Sequence, residues 1–240
     1  PMPCVAALMR SCAAALALAT SSVAGARQDG DPAPAPVPAP ATENAPVRPG
    51  AENAVLEGEV TPALDHAVSS GLEALAKLQQ DDGSFGSSNM GHNVAITALS
   101  CLAFMGDGNL PGRGRYAGVV EKGVEAVLNN CTETGLIAAE TAHGPMYGHG
   151  YATLMLGEAY GMTRGGDGTA LSQRLHESLV KAVRLIVQTQ NEEGGWRYNP
   201  VPNDADVSVT ICQVMALRSA RNAGLEVPRG TIDRAVQYVR

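Results

Sequence analysis

Aromatic residues are scarce in this chain: two Phe, one Trp and six Tyr, 4% of 240 residues. So few ring faces argue against a cavity that stabilises cationic intermediates on aromatic walls. The Ala/Leu run from Ala13 to Ala19 is too short to cross a membrane. Basic residues number 17 against 24 acidic ones, for a net charge of −7, and they are scattered. With no stripe to track phosphates, a nucleic-acid partner is not expected. Five cysteines form no Cys-x-x-Cys, and no His-Glu-x-x-His occurs. Cys101, Cys131 and Cys212 fall on apolar helical stripes, which suits core thiols better than a disulfide framework. The Gly-rich stretches Gly106–Asn109 and Gly165–Gly168 lack the spaced carboxylates of a calcium loop. Neither a metal nor a cofactor is expected.

What the chain does have is a repeat. Gln79-x-x-x-Gly83-x-Phe85, Cys131-x-x-x-Gly135-x-Ile137 and Gln190-x-x-x-Gly194-x-Trp196 share one formula, their glycines 52 and 59 residues apart. Each copy closes an amphipathic helix. Its apolar stripe is Leu64, Val68, Leu72, Leu75 and Leu78 in the first, and Val120, Val124, Val127 and Cys131 in the second. In the third it is Leu175, Leu179, Val183, Ile186 and Gln190. The opposite face is charged (Glu73, Lys77, Glu121, Lys181), so these helices are expected to form an outer, wetted layer. A second, more uniformly apolar helix follows each turn, over residues 94–104 and 207–217. Such composition predicts enclosure on every side. The segment around Thr153 fits between them, with Thr97, Thr153 and Thr210 aligned. Outer helices paired with inner ones predict an all-α protein, an α/α toroid or an open α-solenoid. The formula restarts at Arg234-Ala235-x-x-Tyr238-Val239. The reading is therefore three hairpins and the start of a fourth, with the remaining repeats expected C-terminally.

Ahead of the repeats, residues 1–26 resemble a secretory signal, with Arg10, the Ala/Leu run and a small-residue site at Ala24-Gly25-Ala26. Residues 27–57 are Pro/Ala-rich, as in an extended linker. The repeat domain is assigned to residues 58–240. Export to the periplasm, cell surface or medium is the expectation.

The formula Lys/Arg-Gly/Ala-x-x-aromatic-aliphatic-x-x-x-Gln-x-x-x-Gly-x-Trp resembles the repeat of squalene and oxidosqualene cyclases, whose toroid is shared with protein prenyltransferase β subunits. The resemblance covers about residues 60–240. It implies a toroid whose inner helices begin at one end of a central cavity. The positions preceding those helices are read as Asn93, His149 and Asp206. The sequence Asp204-Ala205-Asp206-Val207-Ser208 resembles the Asp-x-Asp-Asp-Thr proton donor of squalene–hopene cyclases. The resemblance makes Asp206 the acid, Asp204 its carboxylate neighbour and Ser208 the hydroxyl. Val207 stands where the last Asp belongs. With one carboxylate fewer to oppose ionisation, Asp206 is expected to be charged, and helix capping is the simpler role for Asp206 and Asn93. The Asp-x-Cys element of the prenyltransferase zinc site and the Gly-Cys-Gly-Glu-Gln of thioester toroids are both absent.

His149, in a Gly-rich turn with His143, Tyr147 and Tyr151, is the candidate base. His92, Asn93, Tyr147, Tyr151 and Tyr198 are the candidate ligand contacts. Gln79, Gly83, Phe85, Gln190, Gly194 and Trp196 are committed to the turns. The functional expectation is a rim and cavity that bind an apolar small molecule, glycan or protein, without terpene cyclisation. The alternative is an enzyme. It would be a divergent cyclase using Asp206 as acid, or a toroid acting on exported glycans or peptides through His149 and an aspartate.

Overall fold

A computed structural model describes residues 61–139, 144–163 and 169–240. The signal-like segment, the linker, His143 and the Gly165–Gly168 stretch lie outside the described residues. Those described form seven α-helices, a short 3-10 turn at Ser88–Met90 and no strand. The helices are α1 (Pro62–Ala76), α2 (Val94–Gly106), α3 (Ala117–Asn129), α4 (Met146–Met162), α5 (Ala170–Gln188), α6 (Val207–Asn222) and α7 (Arg229–Val239). None is long and apolar enough to cross a membrane. The contact pattern divides the chain between Ser70 and Gly71. On the first side, residues 61–70 begin α1, with the Thr61 hydroxyl accepting from the Leu64 N–H at 3.2 Å. Leu64 and Val68 there are exposed.

From Gly71 onward the helices alternate between two layers. α4 packs between α2 and α6, while α3, α5 and α7 pack against α2, α4 and α6 respectively. The periodic stripes explain this arrangement. Val120, Val124 and Val127 of α3, and Leu175, Leu179, Val183 and Ile186 of α5, are all buried. Their charged faces are joined instead across the surface. Arg174 reaches Glu125 at 2.5 Å and Asn129 at 3.1 Å, and Lys181 reaches Glu133 at 3.2 Å. The stripe of the first copy is only partly covered, with Leu72 buried and Leu78 exposed.

The three turns are built alike. Residue 80 donates to the carbonyl of 84, 132 to 136 and 191 to 195, at 2.9, 2.9 and 3.0 Å. Gly83, Gly135 and Gly194 take φ of +86°, +90° and +97°, which a Cβ disfavours. The same glycines also lie against the backbone of Lys122, Lys181 and Arg234, the basic residue of the next copy of the formula. Gly therefore serves both the turn and the stacking of one repeat on the next. The glutamines span the same junction. Gln79 Nε2 donates to Gly83 O (3.0 Å) and Val119 O (2.8 Å), and Gln190 Nε2 to Gly194 O (2.9 Å) and Thr231 O (2.8 Å). Phe85, Ile137 and Trp196 plug each turn and are buried, with the Trp196 indole N–H donating to Ile186 O at 2.7 Å.

The inner layer corrects two expectations. Its helices are not enclosed all round: Leu99 of α2 is 37% exposed, and Val207 and Ile211 of α6 are 48% and 45% exposed. The register of α4 also differs from the threonine alignment. The plug residue's N–H is accepted by Thr97 Oγ1 in the first repeat (2.9 Å) and Thr210 Oγ1 in the third (3.1 Å). In the second repeat it is accepted by His149 Nδ1 (3.1 Å). His149, not Thr153, is thus the counterpart of the two threonines. The position preceding α4 belongs to Pro145, whose carbonyl accepts from the His149 N–H.

Candidate functional site

That register moves His149 off the helix starts and into the core. It is fully buried, and burial holds its pKa down at about 4, so the ring is neutral. Nδ1 accepts from Ile137, which places the proton on Nε2. Nε2 faces the Ala182 backbone without a well-formed hydrogen bond. A ring so enclosed is a packing and hydrogen-bonding residue. It cannot reach a substrate as a base.

The other candidates separate into two places. At the start of α2, the Asn93 side chain accepts from the Ile96 N–H at 3.0 Å and caps the helix. His92 beside it has φ of +56° and an exposed ring. Its Nδ1 lies 2.6 Å from Asp82 Oδ2 and 3.1 Å from Ser84 Oγ, and the Ser84 hydroxyl donates to Asp82 Oδ1 at 2.7 Å. The Asp82 carboxyl is held below its ordinary range, chiefly by the Ser84 hydroxyl. Both partners meet the same ring nitrogen, so the set is not a relay from carboxylate through imidazole to serine. Asp82 and Ser84 sit inside the turn formula, and nothing in the sequence marks them as partners of a histidine further along.

At the junction of α4 and α6, five predicted residues do come together. Tyr147 and Tyr151, one turn apart on α4, face Ser208 and Cys212, one turn apart on α6. Tyr147 Oη is hydrogen-bonded to Ser208 Oγ, and Tyr151 to Cys212. Burial and the Cys212 contact push the Tyr151 phenol up. The rings of Tyr147 and Tyr198 lie 6.0 Å apart. Arg197 sits 5.3 Å over Tyr198 and is ion-paired with Asp204. Asp206 Oδ1 accepts three hydrogen bonds, from Ser208 Oγ (2.5 Å), Ser208 N (2.9 Å) and Val209 N (3.1 Å). Those bonds, the Ser208 hydroxyl first, hold the Asp206 carboxyl below its ordinary value. Arg197 was not foreseen, because no spacing rule links it to Asp204. No hydrogen bond or ring contact joins His92 or Asn93 to this cluster among the described residues.

Below the cluster, α2 and α4 keep the same face partly open, and α6 does so only on either side of the buried Cys212. Ala95, Leu99 and Leu102 of α2 line up in register with Tyr147, Tyr151 and Leu154 of α4, and all are partly or fully exposed. Ser208 and Met215 continue the face on α6. Close packing sets the spacing of its two later helices. Gly150 of α4 approaches Gln213 and Cys212, and a Cβ at Gly157 would lie 2.5 Å from Ser219 Oγ. Cys101 and Cys212 are buried and Cys131 is partly buried, all three as free thiols. No group of three or more His, Cys, Asp or Glu among the described residues could hold a metal.

No family model matches this chain, and no curated protein matches it.

Proposed function

We propose that the chain carries repeats of the cyclase and prenyltransferase toroid kind, and that the open inner-layer face binds a ligand without cyclising it. The observation that carries the second part is the state of Asp206. Initiating polyene cyclisation requires an acid that keeps its proton until it meets an alkene. Asp206 receives three donors on one oxygen and is stabilised as the carboxylate. The aromatic supply points the same way: Trp196, Phe85 and Phe104 are buried within the repeats and offer no ring to a ligand. Support for the toroid comes from the threefold turn geometry and the two alternating layers. Support for binding comes from an apolar strip of exposed Leu99 and partly exposed Leu102, Leu154 and Met215 beside a polar end.

Titration with an apolar fluorescent probe tests the reading. Saturable binding that is lost in Leu99→Arg, with the melting temperature little changed, is the expected result. Conversion of squalene to polycyclic products, abolished in Asp206→Asn, would overturn it. A second reading, proton transfer at His92, rests on the Asp82 contact that orients its Nδ1. It requires a hydrolytic or isomerising activity that His92→Gln removes and Asp82→Asn weakens.

A further inference from the structure

We infer that the ligand of this open face is an amphiphile with a positively charged head: an alkylammonium rather than an alkyl phosphate. The inference rests on the binding reading above and adds the chemistry of the head group. The body of the ligand follows from the strip, in which Leu99 is exposed and Leu102, Leu154 and Met215 are partly exposed. The head must lie at the tyrosine end, and there the direction of each proton can be followed.

Ser208 gives its hydroxyl proton to Asp206 Oδ1, so the Tyr147 hydroxyl donates in turn to Ser208 Oγ. The free N–H groups at the start of α6, on Ser208 and Val209, end on the same Oδ1. A bare helix N-terminus attracts anions, but this one already has its anion in Asp206. The remaining cation, Arg197, is tied to Asp204 and lies over the Tyr198 ring. What the end still offers is Asp206 Oδ2, which takes none of those bonds, and the Tyr147 ring, whose centroid lies 6.0 Å from that of the Arg197-covered Tyr198. Glu158, further along the open face of α4, has no ion-pair partner among the described residues. Carboxylate oxygens and ring faces attract cations. A phosphate would meet the Asp206 carboxylate, whose nearest donors, the Ser208 hydroxyl and the Ser208 and Val209 N–H groups, are already directed at Oδ1. Arg197 on Tyr198 shows the same chemistry already at work on an internal cation.

The test is titration of the full chain with decyltrimethylammonium, decanol and decyl phosphate, each below its micelle-forming concentration. The ammonium compound is expected to bind about tenfold more tightly than the alcohol, the scale of a partly exposed cation–π and carboxylate contact, with the phosphate weakest. Rising salt should shrink that preference. Asp206→Asn keeps a preferred helix cap while removing the charge, so it should bring the ammonium and alcohol affinities together. Alcohol or phosphate binding as tightly as ammonium would overturn the head-group assignment and leave the binding reading standing. If none of the three binds, both fall.

Discussion

Asp206 faces two demands that pull its carboxyl in opposite directions: a cap works best ionised, a proton donor only when neutral. Its three donors settle the matter for the cap. Asp206→Ala is therefore expected to cost about 1 kcal/mol in urea denaturation at neutral pH, and Asp206→Asn only a few tenths. Because its folded pKa is depressed, the Asp206 contribution is present above the ordinary carboxyl range and is lost as pH falls through the folded value. His149 acts in a different window. The unfolded chain takes up a proton below its ordinary 6.5, whereas the buried ring resists until about 4. Stability is thus full above pH 6.5 and falls by about 1.4 kcal/mol per unit down to pH 4, roughly 3 kcal/mol in all. His149→Thr installs the residue used at Thr97 and Thr210. It loses some packing at neutral pH, but it should remove that slope, and an unchanged slope would show that another group titrates. The sequence could not reveal this role, because an imidazole nitrogen and a threonine hydroxyl do the same job here and share no letter.

The turn that joins an outer helix to an inner one is the element the sequence disclosed best. Its glycines, glutamines and plug residues all recur at fixed spacing, and each is tied to a backbone constraint. The formula did not disclose that its glycine and its basic residue touch across neighbouring repeats. Gly135 needs both a positive φ and close approach to the Lys181 backbone, while Gly108 has φ of +88° and open space where a Cβ would sit. Gly108→Ala should then cost about 1 kcal/mol for conformation alone, and Gly135→Ala about 2–4 kcal/mol because overlap is added. Equal effects in the two variants would mean that repeat stacking places no demand on the glycine. Cys131 is the converse case, a copy that lacks the bridging amide of Gln79 and Gln190. Its thiol is partly buried beside Ser178. Cys131→Gln is expected to gain about 0.5–1.5 kcal/mol if its amide reaches Gly135 O and the next helix as the other two do. A loss on thermal melting would show that the middle junction has closed around the smaller side chain.

Across the whole molecule, periodicity foretold the helices and their alternation, but not which side of the inner layer stays open. Residues 94–104 and 207–217 are apolar over most of their length, and composition alone makes such segments look enclosed. Whether Leu99 or Ile211 is covered depends on what packs beside it, which no local pattern contains. The rim held in part: Asn93 and Asp206 precede α2 and α6, and Tyr147, Tyr151, Tyr198, Asp204 and Asp206 meet, while His149 left it through a one-turn error in register. A stack of this kind should couple each repeat mainly to its neighbours, and the α4–α6 contact is where that can be tested. Gly157 lets α4 approach α6 so closely that an added Cβ would lie 2.5 Å from Ser219 Oγ and 3.2 Å from Ala220 N. Ser219 Oγ also donates to Leu154 O at 3.1 Å, so a bulky side chain here must break a bond as well as part the helices. Gly157→Leu is expected to raise amide exchange in α6 and α7 by at least tenfold, the effect of about 1.4 kcal/mol of lost coupling, while α2 and α3 keep their protection. The distribution decides the matter. A uniform rise from α2 to α7 would mean that these residues unfold as one cooperative body, and that the repeat is a feature of geometry without being a unit of stability.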